Sequence, residues 1–251
     1  MRGGILTRAP YQGLQQIFQY NRPFYLSTAA AAIAAIVLSI STPRSWRGLL
    51  LLAAGSTVFW TCSSLLVSHY IYDRSGFYQL RWLPGCLSRP PARWINLHAG
   101  IDEIGLSLGS IFPSSQGQIV DIYDAREMTE PSIRRARRAA ALPTDSASPQ
   151  SLAAPNGKFD AAFLIFAAHE LRNHGARVQL FGEIARVLQV GGELVLVEHL
   201  RDWPNFLAFG PGFLHFFPAR AWQSASDAAG LAIRLRRAIT PFVHVFVFER
   251  R

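Results

Sequence analysis

The sequence has almost no lysine: Lys158 is the single one among 25 basic residues, and arginine supplies the rest. The net charge of +9 therefore partly reflects arginine usage. No basic stripe with interleaved aromatics and no recognition module is present, which argues against nucleic acid as a partner. Cysteine is equally scarce. Cys62 and Cys86 give neither the density of a disulfide framework nor metal-ligand spacing, and they are compatible with a reducing compartment. No G-x-G-x-x-G follows the first candidate strand, which disfavours a dinucleotide site. There is no internal repeat.

What the chain does have is apolar residues, 50% of the total, and two charge-free runs near its start. Residues 24–40 and 48–67 carry no charge, and a hydrocarbon core of about 30 Å takes about 20 helical residues. They predict an N-terminal two-helix transmembrane hairpin with a tight connector at 41–47 (STPRSWR). Tyr20, Phe24 and Tyr25, then Trp46, then Tyr70 and Tyr72 fall where interfacial aromatic belts belong. Arg2, Arg8 and Arg22 before the hairpin and Arg74, Arg81, Arg89 and Arg93 after it outnumber Arg44 and Arg47 in its turn. That asymmetry puts both termini and the following domain on the cytoplasmic side of an inner membrane. Two buried helices of a soluble bundle are the alternative. The anchor and an interfacial segment take residues 1–88, Arg89-Pro90-Pro91 is a stiff linker, and a second domain takes 92–251.

The second domain is organised around a strand–helix–strand unit. Residues 159–168 (FDAAFLIFAA) are apolar on both faces, as a strand inside a parallel sheet requires. Residues 178–188 repeat apolar positions at helical spacing, and Gly191-Gly192 reads as the stop of that helix. Residues 193–197 (ELVLV) form the next strand. The two strands run out into His169-Glu170 and Glu198-His199, at the carboxyl ends where open α/β sheets bind ligands. Upstream, 93–97 and 118–123 read as strands and 101–111 and 129–141 as helices, followed by a loop around Asp145. Downstream come the aromatic segment 203–217, a helix at 220–229, and runs at 232–238 and 242–249 that form a terminal hairpin.

This order resembles the class I S-adenosylmethionine-dependent methyltransferases, over roughly residues 92–251. KFDAAFLIFAAHEL, with Asp160 and His169, looks like the family's fourth strand, and ELVLVEH looks like the fifth. IYDAREMTEPSIRRAR is similar to the second strand and following helix of the ubiquinone/menaquinone type, and the two-segment anchor together with the words NLHAG and AAHELR looks like a membrane-anchored subgroup. The resemblance implies a seven-stranded Rossmann-like methyltransferase sheet ending in an antiparallel β-hairpin, with S-adenosylmethionine as cofactor. Asp124 maps to the acid that binds the ribose hydroxyls, and Asp145 to the acid near the adenine. In WINLHAGID, Gly100 keeps the middle position of the glycine loop, His98 and Asp102 replace the outer glycines, and Asn96 replaces the strand's acid.

The expected cofactor-binding residues are thus Asn96, His98, Gly100, Asp124 and Asp145, and the expected catalytic residues are His169 and His199. In the family's strand order the first, fourth and fifth strands are neighbours, so His98, His169 and His199 are expected at one edge of the cleft. An imidazole can serve as a base near neutral pH, His169 foremost. A metal held by the three imidazoles is the sharper alternative, since three imidazoles and a water form a catalytic zinc arrangement, and purely structural histidines are the third reading; no short ligand spacing supports chelation, and no metal ligand is assigned. The expected acceptor is an apolar, membrane-resident small molecule, a quinone, isoprenoid or lipid, with the bilayer as the other partner. A non-catalytic methyltransferase-like scaffold is the alternative, and a nicotinamide-dependent reductase a more distant one.

Overall fold

The computed structural model describes residues 9–139 and 145–251. Arg2, Arg8 and the end of the helix expected over 129–141 lie outside the described residues. The described residues divide into two units, one containing residues 9–75 with Asp202–Phe213, the other Gly76–Arg201 with Leu214–Arg251.

The helical unit contains α1 (Gln12–Tyr20), α2 (Arg22–Ser41), α3 (Arg44–His69) and α7 (Trp203–Phe209). Thr42 and Pro43 join α2 to α3, and the two helices pack through small residues: Ala32, Ser39, Ala54 and Ser64 are buried. Small side chains let helix backbones approach closely, as in helix pairs of membranes. Two hydroxyl pairs cross the contact, Tyr25 with Ser64 and Thr28 with Thr61, each at 3.4 Å. The long apolar residues point outward instead, with Ile40 at 71%, Leu52 at 67% and Leu66 at 69% exposure. Both helices are long and apolar enough to cross a membrane, with mean hydropathies of 1.9 and 1.7. Only 17% and 6% of those stretches is buried, whereas a core helix of a soluble bundle is mostly covered. At the end of α3 the carboxylate of Asp73 accepts from the backbone N–H groups of Gly13 and Leu14. It thereby satisfies two of the donors that a helix start leaves unpaired, here at α1.

The sheet unit holds seven strands in the order β3-β2-β1-β4-β5-β7-β6. β1 (Arg93–His98), β2 (Gln116–Asp121), β3 (Asp145–Ser146), β4 (Phe159–Ile165) and β5 (Leu188–His199) are parallel. β7 (Val243–Arg250) is antiparallel between β5 and β6 (Leu231–Thr240), so the terminal hairpin turns back on itself. Successive strands go outward in one direction from β1 and in the other from β4. The direction therefore reverses between β1 and β4, and the carboxyl ends beside such a reversal are where open α/β sheets bind ligands.

β4 and β5 occupy the middle because their residues are apolar on both faces: Ala162, Phe163, Leu164, Leu194, Val195 and Leu196 have no exposed surface. On one face α6 (His174–Val187) and α8 (Ala219–Ala228) cover them, bringing Leu180, Phe181, Ile184 and Trp222 into the same core. Each such fully buried side chain contributes about 1.5–3 kcal/mol relative to leaving it in water. The carboxylate of Asp160 fastens the linker to β4 by accepting from the N–H groups of Ala92 and Arg93 at 2.8 and 2.7 Å.

Several boundaries differ from the sequence expectation, each for a local reason. Gly191-Gly192 does not stop a helix: α6 ends at Val187, and β5 runs on through the glycines with a register shift against β4. A turn glycine and a bulge glycine look alike in sequence. α4 (Gly105–Ile111) begins later than residue 101, because Asp102 caps it from the preceding loop. β2 ends at Asp121, three residues before Asp124. Residues 76–88, expected with the anchor, pack in the sheet unit. There Leu80, Leu83 and Cys86 are buried, Ser88 bonds to Glu193 through its N–H and hydroxyl, and Arg234 donates to Glu193 and to the Cys86 carbonyl.

Candidate functional site

Two groups of side chains stand at the carboxyl ends of the parallel strands. The first surrounds the β1 turn. His98 ends β1 and pairs in register with Asp121, the last residue of β2. Gly100 follows with φ +115°, a conformation that glycine adopts without steric cost. A Cβ there would come within 2.8 Å of the Arg137 Cγ. The two departures at 96 and 102 turn out to compensate each other. Asp102 Oδ1 accepts from the N–H groups of Ile104 and Gly105 at the head of α4, and Asn96 Nδ2 donates to the same oxygen at 2.8 Å. A carboxylate at 96 would repel Asp102, and the amide binds it.

His98 is 6% exposed, and neither ring nitrogen makes a hydrogen bond. Burial pushes its pKa down, against the pull of Asp121, whose carboxylate lies 4.0 Å away. Asp121 accepts from the Tyr123 N–H at 3.0 Å and from the Arg137 guanidinium, which also lies 4.1 Å over the Tyr123 ring. Arg137 comes from α5 (Pro131–Ala139). Asp124 is spent locally, accepting from the Arg126 N–H at 2.8 Å in a turn, and Asp145 opens the exposed edge strand β3 beside Val120.

The second group lies beyond β4 and β5. Phe166 follows β4 with φ +50°, a left-handed conformation that is rare for an aromatic residue and that clusters at functional sites. Its ring stacks on His199 at 5.0 Å, and Phe216 stacks on the imidazole at 4.8 Å. His199 Nδ1 pairs with the Phe242 carbonyl at 2.9 Å, so this histidine is clamped in an aromatic sandwich. His169 sits in a 3-10 turn, Ala168–Glu170. Its Nδ1 pairs with Glu198 at 2.8 Å, its backbone N–H donates to the other oxygen of Glu198 at 3.2 Å, and its Nε2 is 3.5 Å from Glu170. His215 meets it edge-on, ring centres 5.3 Å apart, and has Glu130 at 3.7 Å. Arg172 donates to the carbonyl groups of both histidines.

Burial opposes charge on His169, but the carboxylates of Glu198 and Glu170 outweigh it and lift its pKa to about 10. His215 goes the other way, down to about 4, through burial and then its neighbours His169 and Arg172. Burial raises the pKa of Glu170, and the hydrogen bond and charge of His169 more than reverse that. The pair is thus one imidazolium and one neutral imidazole, and such divergent environments mark acid and base sites. The three strands carrying His98, His169 and His199 do lie near one another, β1 beside β4 beside β5. Yet the imidazole that meets His169 is that of His215, while His98 faces Asp121.

Residues 103–196 match the family model of the methyltransferase domain. Residues 103–196 thus form a methyltransferase domain, and its fold is that of the S-adenosylmethionine-dependent methyltransferases. The fold is shared with human N-acetylserotonin methyltransferase in complex with S-adenosylmethionine (11% identity, 97% of this chain and 72% of that one, TM-score 0.58). It is also shared with a Pyrococcus horikoshii protein (16% identity, 71% and 91%, TM-score 0.53) and a Planctomyces limnophilus family 2 O-methyltransferase in complex with apigenin (13% identity, 82% and 69%, TM-score 0.52). No curated protein matches the sequence.

The residues of the methyltransferase domain fit S-adenosylmethionine. Gly100 offers a turn free of side chain, Asp121 a carboxylate at the carboxyl end of β2, and His98 an imidazole whose buried nitrogens lack partners. Sequence reasoning passed over Asp121, although the apolar run of β2 stops there, because Ile122 and Tyr123 seemed to extend the strand. It also passed over Arg137 and His215, whose meetings with Asp121 and His169 span 16 and 46 residues and left no local signal.

Proposed function

We propose that the chain is a membrane-anchored S-adenosylmethionine-dependent methyltransferase acting on an apolar, membrane-resident small molecule of the quinone, isoprenoid or lipid kind. The observation that carries this reading is the juxtaposition beyond β4 and β5: an aromatic wall of Phe166 and Phe216 around His199, next to the polar cluster of His169, Glu170, Glu198 and His215. An acceptor with a flat apolar body and one reacting oxygen has a counterpart for each part there. The outward apolar faces of α2 and α3 support the membrane, and the arginine balance supports a domain on the cytoplasmic side.

When bound, the cofactor supplies an electrophilic methyl group. Gly100 would let it approach the β1 turn, and Asp121, in place of Asp124, would hold the ribose hydroxyls in competition with the Arg137 guanidinium. Direct displacement mostly requires alignment of donor and acceptor. His169, protonated at neutral pH, orients the acceptor oxygen by donating to it, and the rest of the cluster receives the acceptor's proton. The test is to incubate membranes containing the protein with methyl-labelled cofactor. Label should appear in the apolar extract, and label confined to protein, or to the aqueous phase, would refute the acceptor class.

One observation favours a second reading, a non-catalytic membrane scaffold: Arg137 already neutralises Asp121. Equilibrium dialysis of the purified protein separates the two, since a scaffold retains no S-adenosylmethionine.

A further inference from the structure

We propose that His169, Glu170 and His215 bind one zinc ion. One ligand atom from each lies within 4.8 Å of the other two, and the three come from two separate stretches of chain that the fold has brought together. Glu170 is 8% exposed, and its Oε2 is buried without a hydrogen-bond partner. A buried carboxylate oxygen with no donor is costly, and a cation supplies what it lacks.

His169 is already arranged as a ligand. Its Nδ1 is engaged by Glu198, a carboxylate with 1% exposure, which leaves Nε2 on the side of Glu170 at 3.5 Å. Metal-bound histidines almost always donate their second ring N–H to a carboxylate or carbonyl, which fixes the tautomer and makes the bound nitrogen more basic. Glu198 holds that position here. The electrostatic balance also favours a cation, since Glu170, Glu198 and Glu130 stand beside the two imidazoles, while Arg172 reaches the histidines' carbonyl groups.

Two imidazoles and one carboxylate suit zinc rather than magnesium, which prefers oxygen ligands and keeps its waters. Zinc–ligand bonds of about 2.0–2.1 Å put tetrahedral ligand atoms about 3.4 Å apart. The cluster therefore contracts by roughly 1 Å on binding, and the His215 side chain, 34% exposed, has room to turn. Three protein ligands leave a fourth position for water or for an acceptor oxygen, as in zinc sites that do chemistry. The ion displaces the Nε2 proton of His169, so binding releases protons, and in the loaded protein the ion takes over from the imidazolium the task of meeting the acceptor oxygen.

The test uses the full-length protein in detergent, stripped with chelator and titrated with zinc by calorimetry, with no cofactor present. It is thus independent of whether methyl transfer occurs. One equivalent is expected, with cobalt giving the visible absorption of a tetrahedral site in its place and magnesium failing to compete. Glu170→Gln and His215→Gln should each weaken zinc at least tenfold. Glu198→Gln should weaken it by about tenfold, in the range for outer-shell partners. His174→Gln, on the exposed start of α6, should not change it. If His215→Gln melts below the parent before metal is added, Glu170→Gln decides. No zinc bound by the parent, or equal binding by parent and Glu170→Gln, overturns the proposal.

Discussion

Arg137 grips the carboxylate of Asp121 while its aliphatic stem lies over Gly100, so a single side chain from α5 touches both the acid at the end of β2 and the turn after β1. On the proposed reading, the acid that would take the ribose hydroxyls is held by a competing cation. Arg137→Met keeps the stem and removes the charge, and S-adenosylmethionine affinity measured by calorimetry should rise severalfold. Asp121→Asn should lower it by about 10- to 100-fold, because hydrogen bonds to a charged group contribute about 1.5–3 kcal/mol. Weaker binding by Arg137→Met would make the arginine a ligand in its own right.

Gly100→Ala separates backbone strain from crowding at the same place. With φ at +115° the alanine is strained whatever space it finds, at about 1–3 kcal/mol. The added Cβ also meets the Arg137 Cγ at 2.8 Å, a contact that a flexible side chain can relieve. Thermal melts of Gly100→Ala and of Gly100→Ala with Arg137→Ala should therefore differ little once the effect of Arg137→Ala alone is subtracted. A large recovery would show that crowding, not φ, dominates.

The sheet was legible because its central strands announce themselves: Phe159–Ile165 and residues 193–197 are apolar on both faces, as interior strands covered on both sides require. The terminal hairpin was legible from alternation about Thr240 and Pro241. Local grammar failed where one signal has two meanings. Gly191-Gly192 fits a helix stop and a bulge equally, and β5 uses it as the latter. The site was legible only in part. His169 and Glu198 were marked by their place at strand ends, but their mutual bond, the clamp on His199 and the arrival of His215 are tertiary facts that no sequence window contains. Asn96 read as a cofactor residue in place of the strand's acid and Asp102 as a replaced glycine, and only their hydrogen bond shows one change answering the other.

Glu198 should control the protonation of His169. In chelator-treated protein, NMR titration of the His169 ring should give a pKa of about 10, and Glu198→Gln should bring it down toward the ordinary value of about 6.5. Because the folded pKa is the raised one, the charged pair stabilises the fold fully below the unfolded pKa. The contribution is lost as pH rises through about 10. The parent should accordingly lose its stability advantage over Glu198→Gln across alkaline pH, from about 6.5 upward. A difference between the two melts that stays constant over that range would remove the coupling.

The helical unit gives the sharpest contrast between water and lipid. Leu52, within α3's apolar run, is 67% exposed and supports no core. In a water-soluble bundle Leu52→Arg would be neutral, since surface substitutions away from special features stay within about 0.5 kcal/mol. In a bilayer the same change carries an insertion penalty of up to about 2.5–3.5 kcal/mol, the value for a helix centre. The parent should remain with membranes through high salt and carbonate, because an apolar span is not held by charge. A protein attached by its arginines alone would be released, as exposed charges are screened within about 8 Å at physiological ionic strength. Leu52→Arg should then reduce the carbonate-resistant fraction, and Ser56→Arg, one turn further along the same helix face, should do the same if that face meets lipid. Recovery of the parent in the soluble fraction without detergent, or a Leu52→Arg variant that partitions like the parent, would place these helices in water.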